Sequence, residues 1–310
     1  MPIPSELKPM IENNNSNDRL RSIIYRYMDP DVAEQLMDGG EDVLGGRSTE
    51  ATILFSGIRS FTSLTEKLGA RGTVSFLNDY FPIMVECIHN NGGMLDKFIG
   101  DGIMAAFGVP MPHDDDEDRG VQAAIAMLSE MFKWNYERKA RGEAPVDMGA
   151  GLSTGAIFTG NIGSPKQMNY TMIGDDVNLA CRLERVCKHY AARILISEFT
   201  YRKLRGMYRT REIDQVIKGK TEAVRIYEVL DYHTEDSFPN MGSVLNIFRE
   251  GVTEYRKQKW DTAIKAFNEA LRLNPADRLC SIYIGWCNDY KEVPPRKIGR
   301  RQDSESQVVI

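Results

Sequence analysis

A chain of 310 residues has room for about two domains of ~150 residues each, and with 42% apolar and 27% charged residues it has an ordinary globular composition. A net charge of −5 gives no electrostatic footprint for nucleic acid, and no run approaches the ~18 uninterrupted apolar residues of a membrane span. The first thirty residues lack an apolar signal core. Cys87, Cys181, Cys187, Cys280 and Cys287 are scattered through apolar periodic segments, and no two of the four histidines sit at ligand spacing. This argues against a disulfide framework or a zinc site and predicts buried thiols in a reducing, cytoplasmic setting.

In chain order, residues 1–18 read as a polar, unstructured lead. Residues 19–47 hold a helix and a linker. Leu20, Ile23, Ile24, Tyr27 and Met28 recur at helical spacing before Asp29-Pro30, and a Gly- and acid-rich stretch follows at 39–48. A β-branched strand is expected at 49–55 and helices at 61–68 and 72–90, stopped by Gly92-Gly93. A hairpin turns at Gly100-Asp101-Gly102 between strands 94–99 and 103–107. An amphipathic helix at 121–134, short strands at 148–153 and 156–160, a helix at 177–186 and a strand at 194–197 follow. The fold class is α+β, a ferredoxin-like βαββαβ sandwich, followed by a small all-α unit. In that unit, 240–296, Phe248, Gly251, Tyr255, Trp260, Ala263, Phe267, Ala270, Leu271 and Pro275 match the helix-turn-helix pattern of a tetratricopeptide repeat. One such repeat cannot bury its own face and needs a surface to dock on. Residues 297–310 form a polar tail.

Three segments carry the chemistry. They are Ile53-Leu54-Phe55-Ser56-Gly57-Ile58-Arg59-Ser60-Phe61-Thr62, the hairpin Asp96-Lys97-Phe98-Ile99-Gly100-Asp101, and the run from Asn169 through Gly174-Asp175-Asp176-Val177-Asn178-Leu179-Ala180-Cys181-Arg182-Leu183-Glu184. In that order and spacing, over 48–233, they resemble the catalytic domain of class III nucleotide cyclases of the bacterial adenylate cyclase type. The resemblance implies that ATP is converted to 3′,5′-cyclic AMP and pyrophosphate, in intracellular signalling, with two Mg2+ or Mn2+ ions per site. Attack of a ribose 3′-hydroxyl on an α-phosphate needs an activated hydroxyl and neutralised phosphoryl oxygens, and hard cations held by carboxylates serve both. It assigns metal binding to Asp101 and the Ile58 carbonyl, base reading to Lys97 and Thr171, the ribose to Asn178, transition-state charge to Arg182 and terminal phosphates to Lys218. It further implies a homodimer whose sites straddle the two-fold axis, with the helix at 19–47 and the C-terminal unit available to an upstream sensor or protein partner.

Gly57 departs from the pattern, because it stands where the family has a second metal-binding aspartate. Ser56 is expected to point to the opposite face of the strand. Asp96 lies away from Asp101, and no neighbouring residue reads as a substitute. Two functions follow: a cyclase impaired at residue 57, or an inactive homologue acting as a regulatory dimer or interaction module.

Overall fold

The computed structural model describes residues 21, 24, 25, 33, 34, 46–164, 167–218 and 222–293, without the side chains of 167, 216–218 and 222. The lead, the tail and most of the expected N-terminal stripe, including Leu20, Ile23, Tyr27 and Met28, lie outside these residues.

Alternating apolar residues drive a sheet clad on both faces. Strand β1 (Gly46–Ile58) sends Leu54 and Ile58 to one side and Ala51, Ile53 and Phe55 to the other. Against the first side pack helices α1 (Phe61–Asn90) and α2 (Asp116–Ala140), through Tyr80, Met84, Ile88, Met127 and Leu128. Helix α1 breaks at Gly69, whose φ of +66° suits glycine, so the two expected helices form one kinked element. Strands β2 (Met94–Ile99), β3 (Gly102–Phe107) and β4 (Met148–Ser164) complete the core. Its spatial order, β2-β3-β1-β4, is that of a ferredoxin-like βαββαβ unit.

The sheet continues beyond that unit through β6 (Ile194–Ser197), β8 (Glu222–Val229) and β7 (Thr210–Lys218), while β5 (Gln167–Ile173) pairs with the outer half of β4. Several details differ from expectation. Strand β1 begins at Gly46, inside the stretch expected to be linker. The two strands expected at 148–160 are one, since β4 pairs with β1 in unbroken register from Met148 to Gly160. Helix α3 (Asp175–Val186) packs on the second face, followed by the short α4 (Glu198–Lys203).

The C-terminal unit is all helical: α5 (Met241–Arg256), α6 (Trp260–Leu273) and α7 (Arg278–Glu292). It does not stand apart. Phe248, Phe267, Tyr283 and Trp286 share one core with Leu179 and Leu183 of α3 and with Ile213, Val224 and Ile226 of the sheet. A buried ion triad crosses the same junction. Arg211 of β7 donates from Nε to Glu228 at 2.7 Å, and from both terminal nitrogens to Asp277 at 2.7 and 3.1 Å. All five cysteines are free thiols, four of them buried and Cys181 half-buried. Among the described residues no helix is long and apolar enough to cross a membrane.

Candidate active site

The hairpin β2–β3 and helix α3 bring the expected residues into two groups. In the first, the turn at Gly100, with φ of +63°, delivers Asp101 to the end of β1. There its Oδ2 accepts the Ile58 backbone N–H at 2.9 Å. Burial raises the Asp101 carboxyl above its ordinary value, and the bond from Ile58 works against that rise. Ser56, on the other face of β1, is buried with no hydrogen-bond partner for its hydroxyl.

Gly57 opens directly onto this group. A Cβ built there would lie 3.9 Å from Asp101 Oδ2, so an aspartate at 57 would stand beside Asp101. The same Cβ would lie 2.9 Å from Oε1 of Glu184. An acid from α3, which the sequence reading did not connect with residue 57, thus lies beside the position of the missing side chain. Burial first, and then the charge of Asp101, push the Glu184 carboxyl up to about 7. Among the described residues no group of three or more histidine, cysteine, aspartate and glutamate side chains is suited to a metal. Two neighbouring carboxylates, Asp101 and Glu184, nevertheless offer hard oxygens of the kind and number with which magnesium is held when substrate phosphates complete its shell.

The second group brings together the two side chains expected to read a base. Lys97 Nζ donates to Thr171 Oγ1 at 2.9 Å, across 74 residues of sequence. A β-bulge makes this possible. Leu95 pairs with Ala105 and Lys97 with Met104, leaving Asp96 as the extra residue. The bulge turns Lys97 onto the face that holds Met104, Met172 and Tyr170, next to Thr171 on β5. Asp96 is not idle, because its Oδ2 lies 3.2 Å from Lys97 Nζ with its side chain 1% exposed. Sequence spacing concealed both effects, since a regular strand would place Lys97 on the opposite face.

Helix α3 is fixed unusually close to the sheet. A Cβ on Gly151 would stand 2.2 Å from the Glu184 backbone nitrogen, so β4 needs glycine where the helix crosses it. At the other end Asp176 accepts from Ser153 Oγ at 2.9 Å over Gly155. With Leu179 and Leu183 buried, the exposed Asn178 and half-buried Arg182 share one outer face, four residues apart. Lys218 ends β7 with its backbone opposite Glu222, and its side chain and the following Gly219-Lys220 lie outside the described residues.

This fold and these groups define a nucleotide cyclase catalytic domain. Residues 45–230 match the adenylate and guanylate cyclase catalytic domain, and the chain belongs to that family. It is 35% identical over 277 residues to the terminal-differentiation-specific adenylate cyclase of Dictyostelium discoideum, covering 86% of this chain and 13% of that protein. That alignment is longer than the matched span 45–230, so the similarity reaches into the flanking segments. An adenylate cyclase of Anabaena cylindrica is 38% identical over 195 residues, 60% of this chain and 38% of that protein. The chain thus spans well under half of these relatives. Among solved structures, the adenylyl cyclase CyaB from P. aeruginosa superposes with a TM-score of 0.56 at 35% identity, covering 61% of this chain and 97% of that one. The guanylyl cyclase Cya2 gives 0.54 at 35% identity, covering 60% and 94%.

Proposed function

We propose that this chain is the catalytic part of an adenylate cyclase, converting ATP to 3′,5′-cyclic AMP and pyrophosphate at sites shared by two copies. The observation that carries the reading is the contact between Lys97 and Thr171. Adenine offers an acceptor at N1 and a donor amine at N6, which a lysine ammonium and a threonine hydroxyl complement. Guanine carries a donor at N1 and would face the ammonium donor to donor. The relatives named as adenylate cyclases support the same choice.

Magnesium or manganese, held by Asp101 and the Ile58 carbonyl, would supply neutralisation of the triphosphate and activation of the ribose hydroxyl. The remaining work falls to side chains. Arg182 presents a planar, multi-donor cation for charge that gathers on the α-phosphate, and Asn178, one turn before it, orients the ribose. Lys218 holds the terminal phosphates. The dimer is supported by exposed apolar residues around the base-reading pair. Phe98 and Ile99 follow Lys97 in β2, and Ile173 lies two residues from Thr171 on the same face of β5, each 45–55% exposed. A second copy would cover them.

The test is Mg2+- or Mn2+-dependent turnover of ATP, with cyclic AMP as the product measured, on this chain beside its Gly57→Asp variant. Both should produce cyclic AMP, and the added carboxylate should raise turnover at least ~10-fold. No product from either would overturn the reading. Gly57 itself favours the alternative of an inactive regulatory partner, and product from Gly57→Asp alone would decide for it.

Base choice has its own test. In the Gly57→Asp background, Lys97→Glu with Thr171→Cys should move the ATP:GTP ratio of kcat/KM toward GTP by at least ~10-fold, because mismatched buried donors are costly. An unchanged ratio would remove these two positions from base reading.

A further inference from the structure

We infer that Glu184 supplies the carboxylate that Gly57 lacks, joining Asp101 as a ligand of the divalent cation. The inference rests on the cyclase reading above and deepens it at the metal side of the site.

The argument is geometric. In an aspartate the carboxylate oxygens stand about 2.4 Å from Cβ by ordinary bond lengths and angles. Glu184 Oε1 stands 2.9 Å from the Cβ position of Gly57, close to the shell that an aspartate oxygen at 57 would occupy. The glutamate reaches that point because the sheet is bare beneath it. Gly57 pairs with Gly149 across β1 and β4, and the next glycine of β4, Gly151, lets the α3 backbone at Glu184 descend onto the strand. A longer side chain starting from the helix thus arrives where a shorter one starting from the strand would have ended.

The rival explanation is that Glu184 is a structural ion-pair partner. Among the described residues no lysine, arginine or histidine nitrogen pairs with it at salt-bridge distance. Arg59, the cation in the adjoining loop, is committed elsewhere: its guanidinium donates to the carbonyl oxygens of Met148 and Ala192 and pairs with Asp147 at 3.5 Å. Arg185, the next residue on α3, and Arg59 favour its charged form from a distance, but among the described residues neither pairs with it at contact distance, and Glu184 faces Asp101, an arrangement that a cation resolves.

Its place on α3 adds a consequence. Glu184 follows Arg182 by two residues, roughly 200° around the helix. One helix then offers Asn178 and Arg182 on its outer face and a metal ligand on the face turned toward its own β1.

The decisive experiment is a double-mutant cycle on metal binding. Mn2+ would be titrated into the full chain with 3′-deoxy-ATP, which cannot cyclise, and free Mn2+ followed by electron paramagnetic resonance. The proteins are the unchanged chain, Glu184→Gln, Gly57→Asp and the double variant, each checked by circular dichroism. Glu184→Gln should weaken Mn2+ binding by at least ~10-fold in the Gly57 chain, the scale on which metal-site substitutions act. Gly57→Asp should tighten binding, and in its presence Glu184→Gln should cost several-fold less, because the two carboxylates serve one role. An equal cost in both backgrounds, or loss of fold in both, would make Glu184 a structural residue and overturn the inference while leaving the cyclase reading intact. No gain of Mn2+ affinity from Gly57→Asp in the Glu184→Gln background, where no other carboxylate fills the role, would instead remove residue 57 from the metal site, and the inference with it.

Discussion

Arg182→Ala and Asp101→Asn, each placed in the Gly57→Asp chain, should lower cyclic AMP production by about 10²–10³-fold, the usual loss when a preorganised charge partner of a transition state is removed. Mixed in equal amounts, the two dead chains should recover roughly a quarter of the parental activity, because random pairing makes half the dimers mixed and each mixed dimer has one intact site of two. The expectation follows from where the residues sit. Asp101 is held against Ile58 at the hairpin end of β1, whereas Arg182 lies with Asn178 on the outer face of α3. Recovery is read as cyclic AMP formed per total protein after the chains have exchanged. No recovery, with exchange and dimerisation established by light scattering, would mean that each site is built within one chain.

The sandwich core was legible because its signals are local. Alternation in β1, the glycine-flanked turn at Asp101 and the break near Gly69 are written within a few residues of where they act. The family resemblance rested on the same kind of information, and it singled out Lys97 and Thr171, which the structure brings into hydrogen-bond contact, and Asn178 and Arg182, which share one face of α3.

What remained hidden depends on contacts between distant segments. Strands β5, β7 and β8 carry weak period-2 patterns and are defined by their partners in the sheet. The bulge at Asp96 appears only in the register of β2 against β3, yet it decides which way Lys97 points. Glu184 sat in plain view at the end of the third motif. Its relevance to residue 57 could not be seen, because nothing local says that Gly149 and Gly151 clear the sheet between them. The glycines were the available signal: three residues without side chains, at 57, 149 and 151, mark a place where something else approaches the backbone.

Asp277→Ala should destabilise the full chain by about 3–5 kcal/mol, read from urea unfolding, because it leaves Arg211 without its bidentate partner inside a buried triad. Burial alone would push the Asp277 carboxyl up, but the Arg211 pair outweighs it and the carboxyl ends below its ordinary value. Glu228, on the same cation, is pushed up by burial. The stabilisation from Asp277 is therefore present at neutral pH, above the unfolded value of ~3.9, and is lost only as the pH falls through the lowered folded one. Asp277 also accepts from the Leu279 N–H at 3.2 Å as the N-cap of α7, so part of the loss is a cap, typically ~1 kcal/mol. Replacing the triad together, as Arg211→Met with Glu228→Leu and Asp277→Leu, should cost much less than Asp277→Ala, since no uncompensated charge remains. The consequence extends to catalysis. Phe248, Phe267 and Tyr283 pack in the same core as Leu179 and Leu183, the inward face of the helix that carries Asn178 and Arg182. Loosening the helical unit should therefore lower cyclic AMP production by raising the disorder of α3, with Asn178 and Arg182 themselves unchanged. A loss of stability under 1 kcal/mol for Asp277→Ala would show that the apolar core alone holds the unit in place.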